Sequence, residues 1–457
     1  MKIAIIGSGI SGLSSAYHLD SEHQVVVYEK NNYLGGHTDT HDIDIDGSAT
    51  RIDSGFIIFC PELYPNFSAM LDDLGVRSKP TDMSFGVYNQ QKNLQYNATN
   101  LNSLFCQRRN LFNPQMYRMI VDIVRFYITA KQRIDADDTT MSIDEFLNKH
   151  HYSDTFREDH FFPMIGALWS IPPRIVSQFP IRYLVEFLDA HGLMKLWRRP
   201  QWRVLENGSN SYIQALKKRL NNTEFRVNCG VTNVIRDVDK VLIHSASAAP
   251  EIFDAVIFAV HSDQAKMLLQ KPSAAENEIL GNIPFQSNDI VVHSDESVMP
   301  PVKSAWSSWN VHFDASQPGE RTINHYNACY WMNSLQGLTI KTNIFVSLNE
   351  KRPIDPNKIL KKRVYHHPTY SKSSLQARRR LPEINGQNRT FYVGAFWAWA
   401  FHEDGARSAV EAVALLNQAF PTTTSPQQGK QQHQHRQQTK NLSDTQSEHP
   451  HKQPAEV

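Results

Sequence analysis

The chain has 457 residues, of which 40% are hydrophobic and 20% charged, with a formal net charge of +1. That is apolar material for a large core in two or three domains or sub-domains, and a balance so near zero gives no support for nucleic-acid binding. Four scattered cysteines, Cys60, Cys106, Cys229 and Cys329, form no C-x-x-C pair, which argues against a disulfide framework and against a cysteine metal site.

No uninterrupted run of about 18 apolar residues suggests a transmembrane helix. Met1 to Gly7 reads as a strand entering a glycine turn, which leaves no room for a secretion signal. The expectation is a cytoplasmic protein able to touch a membrane surface, with no metal.

In chain order, the apolar strand Lys2 to Ile6 leads into Gly7-Ser8-Gly9-Ile10-Ser11-Gly12, and Leu13 to Leu19 continues as a helix. A second apolar strand, Gln24 to Tyr28, ends at Glu29, with Lys30 beside it. Each part of this strand–turn–helix–strand unit has a task in holding a dinucleotide. Gly7 permits the tight turn, Gly9 lets the backbone approach a pyrophosphate, and Gly12 allows close helix–strand packing. The helix N-terminus faces the phosphates. Glu29 accepts from ribose hydroxyls and disfavours a 2′-phosphate, so NADP is not expected here.

Leu34-Gly35-Gly36-His37 and Asp53-Ser54-Gly55-Phe56 follow. Residues 100–195 read as helical. Asn113-Pro114 is a helix start, with Met116, Met119, Ile120, Ile123, Val124 and Tyr127 at helical spacing. Ser142 to Glu145 is a capping box. Short β-like runs fill 225–260, further strand-like segments lie in 285–350, and 388–418 reads as strand, loop, helix. Pro421 to Val457 is rich in Gln, His, Ser, Thr and Pro and nearly lacks aliphatic residues, so 419–457 is expected to be a disordered, solvated tail.

The paired glycines after the ribose-binding acid, together with Phe391-Tyr392-Val393-Gly394-Ala395 and Phe401-His402-Glu403-Asp404-Gly405, resemble the flavin-containing amine oxidase superfamily, which includes the phytoene desaturases. The resemblance implies an α/β fold: a Rossmann-like FAD domain assembled from 1–80, 196–265 and 386–418, with an interleaved α+β substrate domain from 81–195 and 266–385. It implies FAD contacts from Gly35, Gly36 and His37, from Val231, and from Gly394, Glu403 and Asp404. The superfamily usually carries Arg where Tyr33 stands, and His37 is placed to substitute in part. Gly394 to Gly405, with Tyr330 to Gln336 and Ala305 to Asn310, looks like one bacterial branch of amine-oxidase-like proteins often encoded beside cyclopropane-fatty-acyl synthases.

What this implies is FAD-dependent oxidation or desaturation of a hydrophobic substrate, with lipid acyl chains as a candidate class. Two rivals stay open: an amine oxidase, and a non-catalytic flavoprotein partner of a lipid-modifying enzyme. The equivalents of the aromatic pair that clamps small amines are Trp399 and His402, and His402 is a candidate acid or base. Lys303 reads as a surface lysine more readily than as a residue beside the flavin. Trp169, Trp306, Trp309, Tyr330, Trp331 and Met332 suit an apolar cavity. No second G-x-G-x-x-G occurs, so electrons are expected to leave to oxygen or a quinone, and no cysteine in the C-terminal segment offers a covalent flavin bond.

Overall fold

A parallel sheet organises the nucleotide end of the molecule. Its strands are Lys2–Ile6 (β1), Gln24–Tyr28 (β2), Thr223–Arg226 (β3), Ala255–Phe258 (β4) and Thr390–Tyr392 (β5), in the spatial order β3-β2-β1-β4-β5. β1 sits at the centre, with Ile3 opposite Val25 on one side and Ala255 on the other. A strand with neighbours on both edges and helices on its faces must be apolar throughout, and Ile3, Ala4 and Ile5 are fully buried. The fold class is α/β, as the sequence implies. The computed structural model describes residues 1–134, 140–169, 176–313 and 327–421. The expected tail beyond residue 421, and the side chain of Trp169, lie outside the described residues.

The helices that matter below are Ile10–Leu19 (α1), Pro65–Asp73 (α2), Pro114–Arg133 (α3), Ile181–Ala190 (α4), Asn210–Arg219 (α5) and His402–Ala419 (α6). α3 starts as its sequence dictates: the Asn113 side chain accepts from Gln115 N, with Pro114 at the first helical position. The capping box at Ser142 and Glu145 is also present.

A second, seven-stranded sheet is mostly antiparallel. Its spatial order is Ile359–Pro368, Phe285–His293, Phe345–Leu348, Asn327–Trp331, Trp309–Phe313, Phe85–Asn89 and Leu94–Asn97. One internal pair, Trp309–Phe313 with Phe85–Asn89, is parallel. The helices between residues 114 and 190 enclose a separate aromatic core around Phe126, Phe146, Phe156, Phe161 and Phe187. Met1–Leu415 forms one compact unit, and a second unit, Leu416–Val457, is described only through residue 421.

Candidate flavin and substrate site

The glycines of the first turn divide their work by geometry. Gly7 has φ +103°, and a Cβ there would lie 2.6 Å from the Ala259 carbonyl oxygen. A Cβ on Gly12 would lie 2.0 Å from the Gly7 oxygen. A Cβ on Gly9 would meet nothing within 4 Å. Gly7 and Gly12 are therefore glycines because the protein is close to them, whereas Gly9 faces open space. Gly36 approaches Gly9 from another side, where its Cβ would stand 3.1 Å from Gly9 Cα. The first glycine turn and the later pair, Gly35 and Gly36, thus meet in space.

Glu29 is buried beside this turn. Ser8 Oγ donates to its Oε2 at 2.6 Å, and Asn31 N donates to Oε1 at 2.9 Å. Ser8, Gly9, Ile10, Ser11, Glu29, Lys30, Tyr33, His37 and Val231 all line one cavity of about 780 Å³. At its other end the walls are apolar, with Met83, Phe187, Leu193, Ile290, Trp309 and Tyr330. Gly394, Trp399 and His402 lie along the same cavity. Trp306 and Trp331 pack instead against Phe345 in a separate core, Met332 is buried, and Lys303 is exposed in an ion pair with Glu296.

Trp399 packs on Tyr183 and Phe187, with ring centroids 4.2 and 5.4 Å apart. His402 stacks flat on Phe56 at 3.4 Å, and its Nε2 lies 3.1 Å from Thr38 Oγ1. Burial holds the imidazole well below its ordinary pKa of 6.5, helped by His37. His402 is therefore neutral at physiological pH, and the acid–base role expected of it near neutrality does not follow from this environment. The two rings engage different neighbours, and both line the one cavity.

Glu403 and Asp404 do not reach the cavity. The Glu403 carboxylate accepts from Asn66 N (3.1 Å), Asn66 Nδ2 (2.6 Å) and Phe67 N (3.0 Å), so it caps the N-terminus of α2. Asp404 accepts from Trp399 N and Phe401 N at 3.1 Å each and pairs with Arg407. Burial raises its pKa to about 6 against these stabilising contacts. Both carboxylates are engaged by the scaffold and help fix the approach of α6, and neither residue is among those lining the cavity.

Residues absent from the sequence expectation also gather here. His261, His366 and His367 line the cavity with His37. His37 stands 5.4 Å from His367 and 6.4 Å from His261, ring to ring, and His261 stacks on Phe285 at 4.1 Å. Burial is the main cause that lowers His37 to about 4 and His261 and His367 to about 3. The doublet His366-His367 just before Pro368, at the end of a strand, was the available signal. Behind this wall Tyr365 donates to Asp39 at 3.1 Å and meets Ser54 Oγ at 2.7 Å, tying the second sheet to the glycine-rich segment.

The residues present fit FAD. The N-terminus of α1 carries no side-chain cap, the space above Gly9 is free, Glu29 waits at the end of β2, and the buried His37 Nε2 has no partner. A dinucleotide needs such donors at a helix start and such an acid one strand away.

Comparison with known proteins agrees with this geometry. Residues 10–347 match the family described as flavin containing amine oxidoreductase. A zeta-carotene desaturase of Synechocystis is 32% identical over 71 residues, 15% of this chain and 14% of that protein. A 4,4'-diapophytoene desaturase of Staphylococcus aureus is 38% identical over 71 residues, again 15% and 14%. The matched stretch thus spans about one seventh of these curated relatives. Among solved structures, a CLA-producing fatty acid isomerase from P. acnes superposes with a TM-score of 0.65 at 16% identity, covering 92% of this chain and 98% of that one. A putrescine oxidase redesigned in its cofactor binding gives 0.63 at 13% identity, covering 91% and 99%. These structural likenesses share the fold, and the family match assigns the chemistry: the chain belongs to the flavin containing amine oxidoreductases and is an FAD-dependent oxidoreductase.

Proposed function

We propose that the protein oxidises or desaturates a long apolar substrate, with lipid acyl chains as the leading class, and passes the electrons on to oxygen or a quinone. The observation that carries this reading is the lining of the cavity. Glu29 is the one acid among the described lining residues, and it is committed to Ser8 and Asn31. The far end offers rings and aliphatic side chains with no carboxylate. A cationic amine held there would lose its hydration without a counter-charge, whereas an acyl chain gains about 0.8 kcal/mol per buried CH₂.

FAD supplies the hydride acceptor. The two glycine loops would hold it, with the His402–Phe56 stack as one wall and Trp399, Phe187 and Tyr330 excluding water. Two partial relatives are desaturases and one structural neighbour is a fatty acid isomerase, which supports the same substrate class. Anaerobic flavin bleaching decides the matter. Unsaturated, methylated or cyclopropanated phospholipids are expected to reduce the flavin faster than primary or secondary amines. Rapid reduction by simple amines, with every lipid inert, replaces this reading with an amine oxidase. A flavin that neither class reduces points to a non-catalytic partner of a lipid-modifying enzyme.

A further inference from the structure

α3 is apolar on two faces. Met116, Met119, Phe126 and Ala130 point inward and are buried. On the opposite side Tyr117, Val121, Val124 and Ile128 recur at helical spacing and are exposed, and Leu101 and Phe112 in the approach to the helix continue the patch. Phe112 is 87% exposed and Val121 60%. Large apolar side chains exposed singly are ordinary, but a contiguous stripe of them marks a surface that something covers. Most of the large apolar side chains that stand exposed among the described residues belong to this one region, which decides that the patch is not scatter.

The charges around the patch identify the cover. Between residues 101 and 134 the basic residues are Arg108, Arg109, Arg118, Arg125, Lys131 and Arg133, and the one acid is Asp122. Asp122 is buried, accepting from Ser153 N and paired with Arg125. The surface of this stretch is therefore positive in a chain whose total is only +1. Trp197, 78% exposed and followed by the exposed Arg198 and Arg199, adds a second cationic–aromatic tip. Two acids of neighbouring segments are already engaged, Asp189 with Lys131 and Glu158 with Lys92, while Asp154, beside α3, is exposed.

We propose that this face docks on an anionic lipid bilayer. Apolar rings and aliphatic groups enter the headgroup boundary while arginines and lysines stay at the level of the phosphates. A second copy of the chain would set this positive rim against itself, and a neutral surface would leave the charges unused. α3 lies in the interface plane and does not span, since Arg118, Asp122 and Arg125 interrupt it. The proposal goes beyond the catalytic reading and does not depend on the identity of the substrate.

Vesicle flotation of the FAD-loaded full chain tests it without turnover, so its outcome is separate from that of the bleaching experiment. The protein is expected to float with phosphatidylcholine vesicles containing phosphatidylglycerol, to stay behind with pure phosphatidylcholine, and to be released by high salt. Arg108→Glu with Arg109→Glu should weaken binding by on the order of tenfold or more, and Phe112→Ser with Val121→Ser should weaken it at every salt concentration. Flavin content should not change, because these side chains are exposed and none lines the cavity. Absence of binding to the phosphatidylglycerol vesicles overturns the proposal; the wild-type salt titration gives that answer without any variant. Undiminished binding by both variants overturns it too. So does concentration-dependent self-association that Val121→Ser abolishes, which would assign the face to a second copy.

Discussion

Gly9 and Gly12 are two residues of one motif, yet they should fail in different ways. Gly12→Ala drives a Cβ to 2.0 Å from the Gly7 oxygen. Thermal unfolding is expected to show a loss of about 1–3 kcal/mol, the range for overpacking, with less folded protein. Gly9→Val has open space and should fold, but the new side chain occupies the pyrophosphate position, so flavin titration should show no binding. Equal flavin affinity in wild type and Gly9→Val would move the dinucleotide elsewhere.

The buried histidines supply a second expectation at this scale. An unfolded histidine titrates near 6.5, whereas His37 is held at about 4 and His261 and His367 at about 3. Between those values and 6.5 the unfolded chain binds the extra protons. Stability should therefore fall as the pH drops from 6.5 toward 4, by roughly 1.4 kcal/mol per pH unit for each histidine. Melting curves across that window check the slope, and His261→Asn with His367→Asn should flatten it.

The glycines and Glu29 were legible in the sequence because their tasks are local: a turn, a helix start, an acid at the next strand end. His366 and His367 were not, because only the pairing of distant strands brings them to His37.

Among the elements, α6 and α2 are joined by one carboxylate. Glu403 satisfies two backbone donors and one side-chain donor at the start of α2. Glu403→Ala leaves those donors unmet and should cost about 1–3 kcal/mol in thermal stability, while the flavin bound per folded molecule stays unchanged. A selective loss of flavin would return Glu403 to the cofactor. From sequence, an acid at a helix start reads equally well as complementing its own helix, touching a ligand or capping a neighbour; only the position of α2 decides. The parallel sheet was readable because its central strands β2, β1 and β4 are short apolar runs of the kind buried on both faces, whereas the edge strand β3 is polar and only half-buried. The seven-stranded sheet was visible only as strand-like segments. Its order is set by pairings such as Trp309 with Phe85, which no periodicity encodes.

For the molecule as a whole, the flavin should be held without a covalent bond. No cysteine is among the described residues lining the cavity, and acid precipitation of the yellow protein is expected to release intact FAD into the supernatant. Flavin retained in the pellet would count against this. The family and the cofactor were readable because both motifs that announce them survive as contiguous strings. The apolar cavity was readable only in outline: of the residues put forward for it, Trp309 and Tyr330 line it, and the rest of its walls come from distant parts of both sheets and from α4.

Gly405, at the start of α6, packs so closely on α1 that a Cβ there would come within 2.6 Å of Ile10 and 2.9 Å of Ser11. β5, just before α6, completes the edge of the sheet whose centre is β1. Closure of the first glycine turn therefore depends on a segment far along the chain: until β5 reaches the sheet and α6 reaches α1, the turn that greets the pyrophosphate stands without this partner.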